Sequence, residues 1–322
     1  MENLRKSGIL LHPTSLPSQY GIGDLGRTCY DFIDFLHNSG QSIWQVLPLG
    51  PTGFKDSPYQ SYSAFAGNYY LISPDLLLKD SLLTPNDIEN KPDFSSDNVE
   101  YGKVIDYKMS LFKKAFNRFS KISALNKDYA RFKRNNSFWL DSCCLFAAIK
   151  DYYIEKRKNE FESEDLKKFR YLTKDFLSEN VQNDYYYGAV WVTWEKDIVN
   201  RSKSAIEKYT QMLKDKIEFY AFLQYTFFRQ WQSVKQYAHK YNISIIGDIP
   251  IFVAWDSADV WENKELFYLD SNGFPKECAG VPPDYFSPTG QLWGNPLYKW
   301  DKHKKTGYEW WINRIKNCLK LT

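Results

Sequence analysis

The sequence is poor in the residues that most often carry chemistry on their own, with four histidines, three methionines and five cysteines in 322 residues. Cys29, Cys143, Cys144, Cys278 and Cys318 are odd in number, dispersed and never spaced C-x-x-C. That argues against a disulfide framework, a zinc finger and a thioredoxin-like redox pair, and leaves buried, reduced thiols as the expectation. His12, His37, His239 and His303 are scattered, and no His/Asp cluster has ligand spacing, so no metal site is expected. No segment approaches the roughly 18 apolar residues of a membrane span. The opening MENLRKSGILLHPTS has no apolar run of signal-peptide length, so no membrane association and a cytoplasmic location are expected. Blocks of like charge are missing too. Lys plus Arg number 42 against 39 Asp plus Glu, a net charge of +3, which disfavours nucleic acid as a partner. Neither an internal repeat nor a low-complexity linker is visible.

What the chain has in excess is aromatic surface. Its 11 Trp, 24 Tyr and 22 Phe make 18% of the residues, more flat apolar area than the core of one α/β domain requires. Some of it should face a ligand. The length fits two average domains or one large α/β barrel.

The hydrophobic pattern favours the barrel. Ile9-Leu10-Leu11 reads as a strand, residues 27 to 38 carry Cys29, Phe32, Phe35 and Leu36 at helical spacing up to a stop at Gly40, and Ile43 to Leu47 reads as a second strand. Strand, helix and strand in so short a span make a βαβ unit and imply a parallel sheet. Residues 50 to 74 are too long and too rich in Gly, Ser, Pro and Tyr for a simple connector, and are expected to be a functional loop. From about 100 to 240 the pattern is helical, with stripes Leu111–Phe112–Ala115–Phe116–Phe119, Trp139–Cys143–Phe146–Ile149 and Tyr220–Leu223–Phe227–Trp231–Val234–Ala238. A third strand, Ile243 to Ile246, follows. The expected fold is therefore α/β, with residues 1–74 holding the first strands and loops, 75–240 a mainly helical insertion, and 241–322 the third strand and a loop-rich subdomain.

Gly21-Ile22-Gly23-Asp24-Leu25-Gly26 matches G-x-G-x-x-G, but it lies about ten residues beyond the first strand, and the second strand ends without an acid to hold a ribose. A Gly-rich turn into a helix, with Asp24 near its N-cap, is the better reading. No cofactor is expected. Polar residues gather after the strands: His12 after the first, Asp56, Ser57, Tyr59 and Gln60 after the second, Asp248 after the third. In a (β/α)8 barrel the carboxyl ends of the strands build the site, which makes Asp248 a site candidate. Asp256 and Asp259 read as helix-capping acids. The stretch GVPPDYFSPTGQLWGNP, residues 280–296, cannot be a helix and makes a poor strand. It presents Tyr285, Phe286 and Trp293 on a backbone stiffened by Pro282, Pro283 and Pro288, with Asp284, Gln291 and Asn295 among them. Aromatic faces with hydrogen-bonding groups suit sugar rings.

SGILLHPTSLPSQYGIGDLG, WQVLPLGPTG, SPYQSYSAFAGNYYLISPDLL, IIGDIPIFVAWDSADVW and AGVPPDYFSPTGQLWGNPLYKWD resemble, in the same order, segments of the amylomaltases, the 4-α-glucanotransferases. The resemblance implies a (β/α)8 barrel with inserted subdomains, maltodextrins or other α-1,4-glucans as substrates, and cleavage by retaining double displacement through two carboxyls about 5–5.5 Å apart. By position Asp248 matches the family's acid after the third strand, Tyr59 an aromatic that contacts sugar, and residues 280–296 the loop arching over the cleft; with the polar and aromatic residues read above, the expected substrate contacts are Ser57, Tyr59, Asp248, Asp284, Tyr285, Phe286, Gln291, Trp293 and Asn295. The family's nucleophile stands in an R-I-D-H-F stretch that residues 1–322 do not contain, and the stretches carrying its acid/base Glu and third Asp are likewise absent. No catalytic residue is therefore placed. The expectation is an incomplete barrel, the N-terminal part of an amylomaltase, inactive alone and partnered by a separately encoded C-terminal half. The alternative is a non-catalytic glucan-binding remnant.

Overall fold

The computed structural model describes residues 5–52, 56–157 and 189–322. Three short strands, β1 (Gly8–Leu10), β2 (Ile43–Gln45) and β3 (Ser244–Ile246), form a parallel sheet in the order β1-β2-β3. Ile9, Trp44 and Ile245 stand in register across it. Because side chains alternate along a strand, Trp44 and Ile245 point into the core while Leu10 and Ile246 are exposed on the other face.

Helix α1 (Arg27–Asn38) crosses from β1 to β2. It buries Cys29, Ile33 and Leu36, a row at i, i+4, i+7, whereas Phe35, expected on that row, lies on the exposed side. Gly40, at φ +69°, ends the helix in the left-handed conformation that glycine adopts without a Cβ penalty.

The second crossover, from β2 to β3, runs through the helical region. Its main members are α2 (Tyr101–Phe119), α3 (Lys127–Arg157), α4 (Lys203–Met212) and α5 (Lys214–Lys240). All six residues of the expected α5 stripe, Tyr220 to Ala238, are buried. On α2, Leu111, Phe112, Ala115 and Phe119 are buried and Phe116 partly so. Residues 158–188, where the helical pattern was expected to continue, lie outside the described residues. α3 and α5 pack through aromatic contacts, Phe132 on Tyr225 at 5.8 Å and Trp139 on Phe228 at 6.0 Å. Trp231 of α5 meets Trp44 of the sheet at 6.0 Å, so the helices are built onto the sheet and share one hydrophobic cluster with it.

The glycine motif has a packing explanation. A Cβ at Gly23 would lie 2.0 Å from the Pro13 carbonyl oxygen and 2.7 Å from Leu16 backbone atoms, and Gly21 adopts φ +76°. The turn needs close backbone approach, not a phosphate. Asp24 accepts from the N–H of Gly26, the N-cap of α1, at 2.8 Å.

Beyond β3 come α6 (Ala258–Glu262), an antiparallel hairpin of β4 (Cys278–Val281) and β5 (Gln291–Pro296), α7 (Trp300–Lys305) and α8 (Glu309–Leu321). The hairpin corrects the reading of 280–296 as a poor strand. Its prolines 282, 283 and 288 fall in the tip, leaving the flanks free to pair. Of the acids near α6, Asp259 stands in the first turn, as expected, but neither it nor Asp256 is the cap. Ser257 is the N-cap, accepting from Val260 N–H at 3.2 Å, while Asp256 pairs with Lys150 and Asp259 is buried, accepting from Ala64 N–H at 2.8 Å.

Candidate functional site

The site begins where the strands end. Asp248 follows β3 and Gly247, and the Tyr59 phenol donates to Asp248 Oδ2 at 2.7 Å across 189 positions of sequence. The hydrogen bond to the carboxylate, with a smaller contribution from burial, holds the Tyr59 phenol up at about 12, so it stays a neutral donor at physiological pH. Ser57 lies beside it, its Oγ accepting from Tyr59 N–H at 3.3 Å. The preceding Asp56 adopts φ +54°, a conformation that non-glycine residues hold only when their surroundings impose it.

Gln60 couples this loop to the hairpin. Its Nε2 donates to the Trp293 carbonyl at 3.2 Å and to Asn295 Oδ1 at 3.0 Å. Asn295 is buried and donates to the Val253 carbonyl at 2.8 Å, so its amide ties three segments together. Trp293, 41% exposed, stands near Phe252 with ring centroids 6.4 Å apart, and its indole N–H donates to Gln291 Oε1 at 3.2 Å. At the tip, Tyr285 and Phe286 are 96% and 87% exposed and meet edge to face at 5.6 Å. Asp284 accepts from the N–H groups of Phe286 and Ser287 at 2.9 and 2.8 Å, which fixes the tip as a turn and commits that carboxylate to it.

The structure therefore brings Ser57, Tyr59, Asp248, Gln291, Trp293 and Asn295 into one connected region. Asp284, Tyr285 and Phe286 sit at the hairpin's outer end. His12 is buried, with Nδ1 unpartnered, and burial lowers its imidazole to about 4. Sequence reasoning missed Arg314. Buried on α8, it donates to the Pro250 and Ile251 carbonyls and to the Tyr298 hydroxyl, the last at 3.0 Å, pinning the segment that follows Asp248. Its signal was a lone arginine on an apolar helix face, four residues after Trp310. Among the described residues no group of three or more His, Cys, Asp or Glu is placed to hold a metal, and no helix is long and apolar enough to cross a membrane.

The profile of the 4-alpha-glucanotransferase family matches residues 11–322. The chain belongs to that family. It is 46% identical over 323 residues to the 4-alpha-glucanotransferase of Synechocystis, covering 99% of this chain and 57% of the relative. With the Clostridium butyricum enzyme it shares 43% identity, over 97% of this chain and 57% of the relative. Among solved structures, the amylomaltase of Streptococcus agalactiae in complex with acarbose superposes with a TM-score of 0.84 at 37% identity, covering 98% of this chain and 58% of that one. The amylomaltase of Corynebacterium glutamicum, at 17% identity, covers 98% of this chain and 40% of its own with a TM-score of 0.64, a likeness of fold. The chain thus spans somewhat over half the length of the curated relatives it matches.

Proposed function

We propose that the chain forms one wall of the glucan cleft of a 4-alpha-glucanotransferase, which transfers α-1,4-glucan segments between maltodextrins by retaining double displacement, and that Ser57, Tyr59, Asp248 and the aromatic hairpin contact the sugars. The observation that carries this is the Tyr59–Asp248 pair at 2.7 Å, linked through Gln60 to a hairpin whose aromatic rings are turned outward. Exposed rings offer faces to the C–H surfaces of glucose units, while the carboxylate and amides accept and donate to hydroxyls. The structural likeness to an amylomaltase solved with acarbose supports the same class of ligand. Residues 1–322 contain no R-I-D-H-F stretch, so the attacking carboxylate of the proposed reaction is not among them, and Asp284, committed to its own turn, is no substitute. In the same reading the parallel sheet is the opening part of a (β/α)8 barrel, and the protein works in the cytoplasm.

The test is a fluorescence titration with maltoheptaose. Trp293→Ala and Tyr285→Ala should each weaken binding about ten-fold, close to the 1.4 kcal/mol that one buried aromatic contact is worth. Affinities equal to wild type would reduce the hairpin to packing its own rings.

The exposed apolar side chains Leu10, Ile246, Ile251, Ile315 and Leu319 support a further part of the reading, a polypeptide carrying the R-I-D-H-F stretch as partner. Co-expression with such a polypeptide should abolish ANS binding by the chain. ANS fluorescence unchanged by it would remove that partner.

A further inference from the structure

An aromatic face helps a ligand bound at Asp248 only if its offset from that carboxylate is fixed. The hairpin's own pairing does little to fix it. Gln291, Leu292 and Trp293 at the outer end of β5 are exposed, and the β4–β5 ladder shifts register between Cys278 and Gly280. Such an irregularity interrupts a ladder locally.

Two side-chain amides supply the hold. Asn295 is 3% exposed, and its Nδ2 donates to the Val253 carbonyl at 2.8 Å. A carbonyl can only accept, so this bond decides which end of the Asn295 amide faces Val253 and turns its oxygen toward Gln60. Gln60 must then donate. Its Nε2 carries two hydrogens and both are engaged, one with Asn295 Oδ1 at 3.0 Å and one with the Trp293 carbonyl at 3.2 Å. Asn295 Nδ2 also approaches Gln60 Oε1 at 3.4 Å, so the two amides face each other as a reciprocal pair. Asn295, bonded to Val253 and Gln60, is closed off from solvent.

On its other side Gln60 is tied to the partner of the carboxylate. Its backbone N–H donates to the Ser57 carbonyl at 3.1 Å, and Ser57 Oγ accepts from Tyr59 N–H at 3.3 Å. One turn therefore fixes Tyr59 and Gln60 together, and Tyr59 donates to Asp248 at 2.7 Å. From Asp248 through Tyr59 and Gln60 to Trp293, every step is a hydrogen bond or a peptide link.

We propose that Gln60 and Asn295 are positioning residues whose amide pair sets the offset between Trp293 and the Tyr59–Asp248 pair, so that one glucan chain engages both at once, an inference that rests on the hairpin contacting sugar. A ligand that meets a fixed surface loses less freedom than one that must order the hairpin as it binds. Without the pair the ring is still present, but its contribution falls.

The experiment is calorimetric titration of the 322-residue chain with maltoheptaose in a double-mutant cycle. Trp293→Ala should weaken binding about ten-fold in wild type but at most about two-fold beside Gln60→Leu, because the ring it removes is then no longer held in place. Gln60→Leu alone should weaken binding about five- to ten-fold. Gln60→Glu keeps the length of the side chain, loses both N–H donors and should behave as Gln60→Leu does, and it replaces that variant if the leucine chain does not fold. A role confined to stability, or a direct contact of Gln60 with sugar, would lower affinity by the same factor with Trp293 present or absent. Equal factors therefore overturn the proposal, and so do Gln60 variants that bind as wild type does. Trp293→Ala without effect in wild type removes the hairpin as a sugar contact and this proposal with it. A ten-fold loss from Trp293→Ala in every background overturns the proposal alone and leaves the hairpin reading standing.

Discussion

Lys108→Ala is expected to cost about 3–5 kcal/mol, the usual penalty for removing one member of a buried ion pair, and so to use up much of the stability of an ordinary domain. Lys108 of α2 is fully buried. Its ammonium donates to the Tyr70 and Ile72 carbonyls at 2.7 and 3.1 Å and lies 3.8 Å from Asp24 Oδ2. Burial pushes Lys108 down to about 8 and Asp24 upward, and each partner opposes the other's shift, as the N–H of Gly26 does for Asp24. Asp24 in turn accepts from Gly26 N–H at the start of α1. One cation thus joins α2, the segment 70–72 and the Gly-rich turn. Alanine leaves a buried carboxylate and two carbonyls without their donor. The double variant Asp24→Asn/Lys108→Met removes both charges, so it should be less destabilised than the sum of its singles. Urea unfolding of the four proteins decides it. A loss of under about 1 kcal/mol for Lys108→Ala would show that water reaches the site and that the pair is not isolated as its burial implies.

That pair also shows how far the sequence could be read. Helix stripes announced themselves because burial follows a 3.6-residue period, and Tyr220 to Ala238 are buried as the period requires. The parallel sheet followed from apolar runs joined by helical crossovers. Long-range polar partnerships carry no such period. Lys108 falls on the apolar row of Val104, Leu111, Phe112 and Ala115, so the helical period marks it as facing inward, but neither it nor Arg314 names the carboxylate or the carbonyls it holds. Phe35 was misplaced because two apolar rows on α1 fit helical spacing, and which one meets the core depends on packing. At the candidate site the residue types after the strands were legible, since polar groups there disturb an otherwise apolar pattern. Their connection was not. Tyr59 to Asp248 and Gln60 to the hairpin span 189 and more than 230 positions, and only the folded sheet brings them together. The hairpin itself was obscured by prolines that sit in its tip.

Asp259→Asn should flatten the pH dependence of stability between about pH 4 and pH 7. Burial, opposed by the Ala64 N–H, Arg314 and the Trp310 indole, raises the Asp259 carboxyl from 3.8 to about 6, and Glu262 nearby adds to the rise. The native state therefore holds this proton more tightly than the unfolded chain. Its contribution is fully present below the unfolded value near 3.8 and is lost as pH rises through about 6. At 1.36 kcal/mol per unit, the loss amounts to about 3 kcal/mol. Asparagine stays neutral throughout, and its carbonyl oxygen can keep the bond from Ala64 N–H, so the variant lacks this slope without losing that contact. Other shifted groups add to the pH dependence: burial raises Asp24, Asp141 and Asp151 and lowers His303. Glu262 is also raised by burial and adds a loss of the same sign. His12, lowered to about 4 by burial, has the opposite sign: its contribution is present above its unfolded value near 6.5 and is lost as pH falls through about 4. All of them remain in the variant, so the difference between the two proteins isolates Asp259. Relative to Asp259→Asn, wild type should lose about 3 kcal/mol as urea unfolding is repeated from about pH 4 to about pH 7. Parallel stability curves would mean that Asp259 ionises as freely in the fold as in water and that its burial does not isolate it.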